Sequence, residues 1–303
     1  MGPIKGSGEA LTERVRIGLI GYGSWGKKHF AALSRNPRAD LRGVYDPAYR
    51  GDGFFPSLDD LLEEVEAVDV VVPAGSLARI SIKAMEAGKH VFIEKPMSVN
   101  LEEALKLEDA WRRNPGSKVM VGFIERFNPV FQRIREILRA EPPSMVFCQR
   151  SGMPASVTKQ TGVILDLAIH DIDLLIWCLG MPRSARAKIE ESFDWGRVEL
   201  DFGRSKAMIV ADCLGPKVRR WVVKLKGSTL HAHFQGDRWR LFEGGSEIPV
   251  EWRMPLDAEL DHFISSILND VEPSPGIGDG IRALEVIERG LSSEGILAPR
   301  SGG

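Results

Sequence analysis

Several things are scarce in this chain of 303 residues, and each scarcity removes a class of explanation. There are three cysteines, Cys148, Cys178 and Cys213, odd in number and far apart. Neither a disulfide framework nor a zinc knuckle is indicated. There are three tyrosines, Tyr22, Tyr45 and Tyr49, and none has a lysine four residues on, which sets aside the tyrosine–lysine acid/base pair of a short-chain-type mechanism. No apolar run approaches the length of a membrane span, and the polar, glycine-rich first fourteen residues contain no apolar signal core. A net charge of -2 gives no electrostatic reason for nucleic acid or anionic membrane as partner. These absences lead to the expectation of a cytoplasmic protein with no nucleic-acid and no membrane partner. The length leaves room for two domains.

What is present begins with Val15–Ile20 (VRIGLI), a short apolar run that reads as the first strand of a parallel sheet. Gly21-Tyr22-Gly23-Ser24-Trp25-Gly26 follows it directly, and a helical stretch, 27–34, comes next. Glycine at the first two positions allows a tight turn and lets a pyrophosphate approach bare backbone; the third lets the helix pack on the strand. The helix N-terminus offers unpaired N–H groups and partial positive charge to phosphates. A second strand over 41–45 ends in Asp46, about 20 residues beyond Gly26, the spacing of an acid that bonds the adenosine ribose. Pro47 makes an Asp-Pro turn the competing account of Asp46. The acid favours NAD, since it repels a 2′-phosphate, and the nearby Arg50 leaves NADP open.

Strand and helix then alternate: a helix over 57–65 capped by Ser57, a strand over 69–72 broken by Pro73, a helix over 77–87. After that come the strand 90–93, a helix over 100–113 capped by Asn100, and a strand over 118–123. This is the pattern of a doubly wound parallel sheet. The stretch His90–Met97 (HVFIEKPM) runs a buried strand into Glu94-Lys95-Pro96. Proline cannot continue a ladder, so Lys95 is held at the carboxyl end of a strand, the edge where ligands bind in such sheets.

A helix over 127–139 joins two halves, after which eight short runs between 145 and 252 alternate in the manner of a mostly antiparallel sheet, and two helices, 257–268 and 279–292, close the chain. One long apolar helix over Gly162–Leu179 interrupts these strands. On it Asp166, His170 and Asp173 share one face, and Asp171 lies off that stripe as a structural residue. Buried carboxylates are costly unless paired or engaged in chemistry. An imidazole can take a hydroxyl proton near neutral pH; a hydrogen-bonded core histidine with Asp173 as partner is the competing account. His231 and His233 find no third ligand, so no metal is expected.

The motifs Gly21–Gly26, Ala87–Val91 with Glu94-Lys95-Pro96, Gly122-Phe123 with Arg126–Pro129, and Asp166-x-x-x-His170-x-x-Asp173 resemble the Gfo/Idh/MocA oxidoreductase family. The resemblance implies an N-terminal Rossmann domain, 1–123, and a C-terminal α+β domain, 124–303, whose mostly antiparallel sheet builds a homodimer or homotetramer. It implies NAD(P)-dependent oxidation of a sugar or cyclitol hydroxyl, with Lys95, Asp166 and His170 as catalytic group and, with Arg126, as substrate contacts. Gly21, Tyr22, Gly23, Ser24, Trp25, Gly26, Asp46, Pro73, Glu94 and Lys95 are the expected cofactor contacts. Within the family, 121–129 and 162–173 look most similar to UDP-N-acetylglucosamine 3-dehydrogenases, which implies a nucleotide-sugar substrate. The loop Ala74–Leu77 departs from the pattern, lacking a histidine that many members carry near position 77. An inositol or free-sugar dehydrogenase, an NAD-retaining glycosidase or epimerase, and a non-catalytic NAD sensor are the alternatives. Whether Lys95 or His170 takes the proton stays open at this level.

Overall fold

The computed structural model describes residues 13–153, 156–190 and 192–293; most of the polar opening stretch lies outside them. Five apolar runs form parallel strands: Val15–Ile20 (β1), Ala39–Tyr45 (β2), Ala67–Val70 (β3), His90–Glu94 (β4) and Val119–Gly122 (β5). Their order is β2-β1-β3-β4-β5. Every residue of β3 and β5 is buried, as strands covered on both faces require. The strand expected over 69–72 sits two residues earlier, because its partner β1 ends at Ile20, opposite Val70.

The helices between these strands are Gly26–Arg35 (α1), Leu58–Glu64 (α2), Ala74–Glu86 (α3) and Leu101–Arg113 (α4). Ser57 and Asn100 cap α2 and α4, their side chains accepting from the amides of Asp60 and Glu103. Helix α3 starts at Ala74 rather than Leu77: Pro73 occupies its cap position, and the Ser76 N–H closes onto the Pro73 carbonyl at 2.8 Å. A 3-10 turn, Ile124–Phe127, leads into Pro129–Ala140 (α5). Asn128 caps α5 and Pro129 fills its first position, so the helix begins after Phe127 rather than at it.

The second sheet has strands Met145–Ser151 (β6), Ser184–Ile189 (β7), Trp195–Asp201 (β8), Lys206–Asp212 (β9), Val218–Lys224 (β10), Thr229–Gln235 (β11), Arg238–Glu243 (β12) and Ser246–Ile248 (β13). Their order is β13-β12-β11-β10-β6-β9-β8-β7, antiparallel except for the parallel pair β6 and β9. The single helix expected over Gly162–Leu179 is divided into Ser156–Val163 (α6), a π turn at Ile164–Ala168, and Ile169–Leu179 (α7). Gly162 has φ +72, a left-handed value that no helix interior contains, and Gly180 stops α7 with φ +82. The π turn inserts a residue into the helical register, a device frequent at functional sites.

Pro255–Leu268 (α8) and Ile277–Ser292 (α9) complete the chain. Helix α8 returns to the first sheet, where Leu260, Phe263 and Ile264 pack with Val15, Ile17, Phe92 and Met120. Phe92 and Phe263 are fully buried and meet edge to face at 5.8 Å between ring centres. Burial of such a side chain is worth about 1.5–3 kcal/mol, which ties the end of the chain to its beginning. No described helix is long and apolar enough to cross a membrane.

Candidate active site

From β1 the chain crosses to β2 on one side, and the later strands extend on the other, so the crevice of the first sheet opens between the carboxyl ends of β1 and β3. The glycine loop lies there, and its three glycines do three different things. Gly21 has φ +99, and a Cβ on it would stand 2.2 Å from the Val71 carbonyl oxygen. Gly26 packs on Gly21 so closely that its Cβ would meet the Gly21 carbonyl at 2.2 Å. Gly23 faces open space, with nothing within 4 Å of where its Cβ would be. Bare backbone beside open space, ahead of a helix N-terminus, suits a dinucleotide pyrophosphate.

Asp46 makes the Asp-Pro turn and also a second contact that the sequence did not indicate. Its Oδ1 accepts from the Ala48 N–H at 2.8 Å, the Asp-Pro turn, and its Oδ2 accepts from the Tyr22 N–H at 2.7 Å, which anchors the glycine loop. The Arg50 guanidinium donates to the Asp46, Pro47 and Tyr49 carbonyls. Tyr22 meets Phe30, Tyr49 and Phe54 edge to face, making an aromatic wall beside Asp46. Ser24 is exposed, and Trp25 is half-buried with the Lys28 ammonium 4.4 Å above its ring.

At the end of β4, Lys95 Nζ donates to Oδ1 of Asp166 at 2.9 Å and to the Asp166 carbonyl at 2.8 Å. The Lys95 side chain is 16% exposed and that of Asp166 8% exposed, so the pair is shielded without being sealed off. Thr158 donates to the other carboxylate oxygen at 2.5 Å. Burial pushes the Asp166 carboxyl up, but Lys95 and the Thr158 hydroxyl pull harder, and the group stays below its ordinary value as a carboxylate. His170 goes the other way. Burial, with the charges of Lys95, Arg150 and Arg219, holds it well below an ordinary histidine, so the imidazole is neutral. Its Nδ1 is buried and has no partner among the described residues. Lys95, Asp166 and His170 are thus gathered at the carboxyl edge of the first sheet. A neutral imidazole beside a lysine–carboxylate pair can accept a proton while the lysine orients an oxygen.

Arg126 and Asp173 are drawn elsewhere. The Arg126 guanidinium donates to Asp173 at 2.8 Å and to Asp279 at 2.9 Å, and is buried with Asp173 beside a partly exposed Asp279. Asp173 therefore serves Arg126 and is not the partner of His170, and the donors of Arg126 face those two carboxylates rather than Lys95. Glu94 likewise turns away from the crevice: Oε2 accepts the Lys95 N–H at 3.0 Å, and Oε1 lies 3.2 Å from His29 Nε2. Among the described residues no three histidine, cysteine or acidic side chains converge to hold a metal ion, and His233 is stacked on Phe242.

The support beneath the site was not anticipated from the sequence. His29, fully buried, holds Asp69 at 2.8 Å through Nδ1. Burial alone would pull this imidazole down, but Asp69 and Glu94 push it up to about 10, so it carries its charge. Arg150 spans Glu125 at 3.0 Å and Asp171 at 2.9 Å, and Trp221 Nε1 donates to the other oxygen of Asp171. Signals existed: Asp69 breaks a run of valines, and Arg150 falls in register with Val146 and Cys148 on the buried face of β6. A buried charge implies a partner, though not which one.

Residues 15–123 match the model of an oxidoreductase family with an NAD-binding Rossmann fold, the Gfo/Idh/MocA family. The chain is 31% identical over 308 residues to inositol 2-dehydrogenase 3 from Saccharopolyspora erythraea, covering 90% of this chain and 90% of that protein. It is 33% identical over 186 residues to UDP-N-acetylglucosamine 3-dehydrogenase from Acidithiobacillus ferrooxidans, a match that spans just over half of each, 57% of either chain. A solved structure of that Acidithiobacillus ferrooxidans enzyme superimposes with a TM-score of 0.81 at 24% identity, covering 92% of this chain and 97% of that one, which shows a shared fold. A nucleotide loop, a strand-end lysine and a helix-borne carboxylate and imidazole, in one fold and matched nearly end to end by such a relative, have one common source: this chain belongs to the Gfo/Idh/MocA family of NAD-binding oxidoreductases.

Proposed function

We propose that the protein is an NAD-dependent dehydrogenase that oxidises a secondary hydroxyl of a sugar or nucleotide-sugar, the 3-hydroxyl of UDP-N-acetylglucosamine being the leading candidate within that class. The observation that carries this reading is the Lys95–Asp166 pair, 2.9 Å apart at the carboxyl end of β4, with a neutral His170 close enough to feel the lysine's charge. On this reading Lys95 donates to the reacting hydroxyl oxygen, Asp166 fixes Lys95 and the sugar, and His170 accepts the hydroxyl proton. Asp166 is already committed to Lys95 and to Thr158, which leaves the imidazole as the better base. Bound NAD would supply the hydride acceptor for the carbon that bears this hydroxyl, which becomes a carbonyl. Residues 21–26 would hold its pyrophosphate, Asp46 its adenosine ribose, and Pro73, Lys95 and the backbone of Glu94, whose carboxylate faces inward, would border the nicotinamide end.

In the same reading residues 1–123 serve the cofactor and 124–303 the substrate and self-association. Phe147, Met208, Val210, Val222 and Phe242 remain half-exposed on the second sheet, an apolar surface that supports a homodimer or homotetramer in the cytoplasm. The test is reduced-nicotinamide absorbance on mixing NAD with UDP-N-acetylglucosamine, myo-inositol or glucose. Net NADH with at least one of them is expected, and its loss in both Lys95→Met and His170→Ala. Wild-type turnover in both variants would overturn the assignment.

A further inference from the structure

Strand β10 carries an arginine that the catalytic cluster does not use. Arg219 alternates in phase with Trp221 and Val223, both buried, so it lies on the sheet face that meets the helix of Asp166, His170 and Asp171. Across the sheet it is paired in register with Arg150, whose Nη1 and Nε donate to Glu125 and Asp171 and whose buried Nη2 has no partner among the described residues. The carboxylates whose charge reaches Arg219 are Glu125, Asp171 and Asp166. Each is already engaged: Glu125 with Arg150 and Asn128, Asp171 with Arg150 and Trp221, Asp166 with Lys95 and Thr158.

Arg219 itself makes no hydrogen bond or ion pair among the described residues; its guanidinium carbon lies 5.6 Å from the centre of the Phe234 ring. Lys217, two residues earlier in the same phase, places its Nζ 4.3 Å from the centre of that ring and likewise has no carboxylate partner there. Lys28, from the first turn of α1, is near enough for its charge to act on Lys217. Cations collected on one aromatic ring, one of them half-buried and none paired with an acid, repel one another unless an anion joins them.

We propose that Arg219 and Lys217 form a subsite for a phosphoryl group of the substrate, which makes the oxidised sugar a sugar phosphate or a nucleoside diphosphate sugar; the word substrate here rests on the dehydrogenase reading above. A planar guanidinium fork beside a point charge matches the several oxygens and the double charge of a phosphoryl group better than a single carboxylate. The glycine loop, the expected seat of the cofactor's own phosphates, leads into the helix that carries Lys28, so the probes are titrated with NAD already bound. The subsite is close enough to the chemistry to influence it, because the charge of Arg219 acts on both His170 and Asp166. Neutralising it with a substrate anion removes one of the charges that oppose protonation of the base.

The test uses the full chain saturated with NAD, in low-salt buffer free of phosphate, titrated with UDP, glucose 6-phosphate and uncharged glucose, with melting temperature and calorimetric Kd as readouts. UDP or glucose 6-phosphate should raise the melting temperature where glucose does not. Arg219→Met should weaken that probe by about tenfold or more, with Arg219→Lys recovering part of the loss. The stronger of the two charged probes assigns the source of the phosphoryl group. The proposal is overturned if neither charged probe binds the wild type, if glucose binds as tightly, or if Arg219→Met binds like the wild type. Should Arg219→Met lower the melting temperature without ligand, the exposed Lys217→Ala decides, and an unchanged Kd there overturns the subsite. Binding is read without turnover: UDP carries no oxidisable sugar, so its affinity is independent of the chemical step, and an inactive enzyme and an absent subsite give different results.

Discussion

Glu94 and His29 meet inside the first sheet, Oε1 to Nε2 3.2 Å, while the other oxygen of Glu94 holds the N–H of Lys95 at 3.0 Å. The backbone of the candidate catalytic lysine is therefore fixed by a carboxylate that a buried imidazole holds from behind. His29→Leu leaves Asp69 and Glu94 buried without their cation, and the expected loss is about 3 kcal/mol of unfolding free energy, measured by urea denaturation.

Two of the glycines separate folding from binding. Gly21→Ala puts a methyl group into the Val71 carbonyl at a left-handed backbone, so its melting temperature should fall steeply. Gly23→Ala meets nothing within 4 Å among the described residues and should melt like the wild type. Its NAD affinity should nevertheless drop about tenfold or more, because the methyl group occupies the path of the pyrophosphate. Melting curves and cofactor titration on both variants check the contrast.

With His170 as the proposed base, the acid limb of the pH profile should follow its titration. A base must be unprotonated to work, and this group's proton affinity is held well below an ordinary histidine's by burial and by Lys95, Arg150 and Arg219. The log of kcat/KM should therefore stay level as pH falls through 6.5 and break only at lower pH. His170→Ala should reduce kcat by roughly 10²–10⁴ and remove that break.

Glu259 on α8 is fully buried, and neither of its oxygens has a partner among the described residues. Burial, then the charge of Glu94, raises it well above an ordinary glutamate. A carboxyl raised on folding binds more protons folded than unfolded, so it stabilises at low pH and that contribution is lost as pH rises above 4.5. His29 acts in the same direction: its contribution is full below 6.5 and disappears as pH rises through about 10. Well above 6.5, where the depressed His170, His90 and His262 no longer oppose this slope, stability should decline towards alkaline pH. Glu259→Gln should make that decline shallower, leaving the variant the more stable protein at pH 9 by urea denaturation.

The sequence carried the local devices well. Two helix caps, the strand-to-glycine turn, Asp46 and Lys95 lie where expected because each depends on a few neighbouring residues. It was silent where the partner is remote. Asp69 needed His29, forty residues earlier, and Arg150 needed Glu125 and Asp171. Helix α8 joins the first sheet from the far end of the chain, which no periodicity reveals. The face shared by Asp166, His170 and Asp173 was drawn on a regular helix, and the π turn invalidates that drawing: Asp166 reaches Lys95 while Asp173 reaches Arg126.

That turn makes the chemistry separable from the scaffold by the smallest possible edit. Removing one residue between Ile164 and Ala168 would restore ordinary helical register and swing everything before the deletion by about 100° relative to α7. Asp166 would leave Lys95, and Ile164, which packs against Gly196 of β8, would have to repack, while the glycine loop on the first sheet is not part of that packing. If Asp166 has the role proposed for it, a single codon inserted or deleted here separates catalysis from the glycine loop that faces the nucleotide.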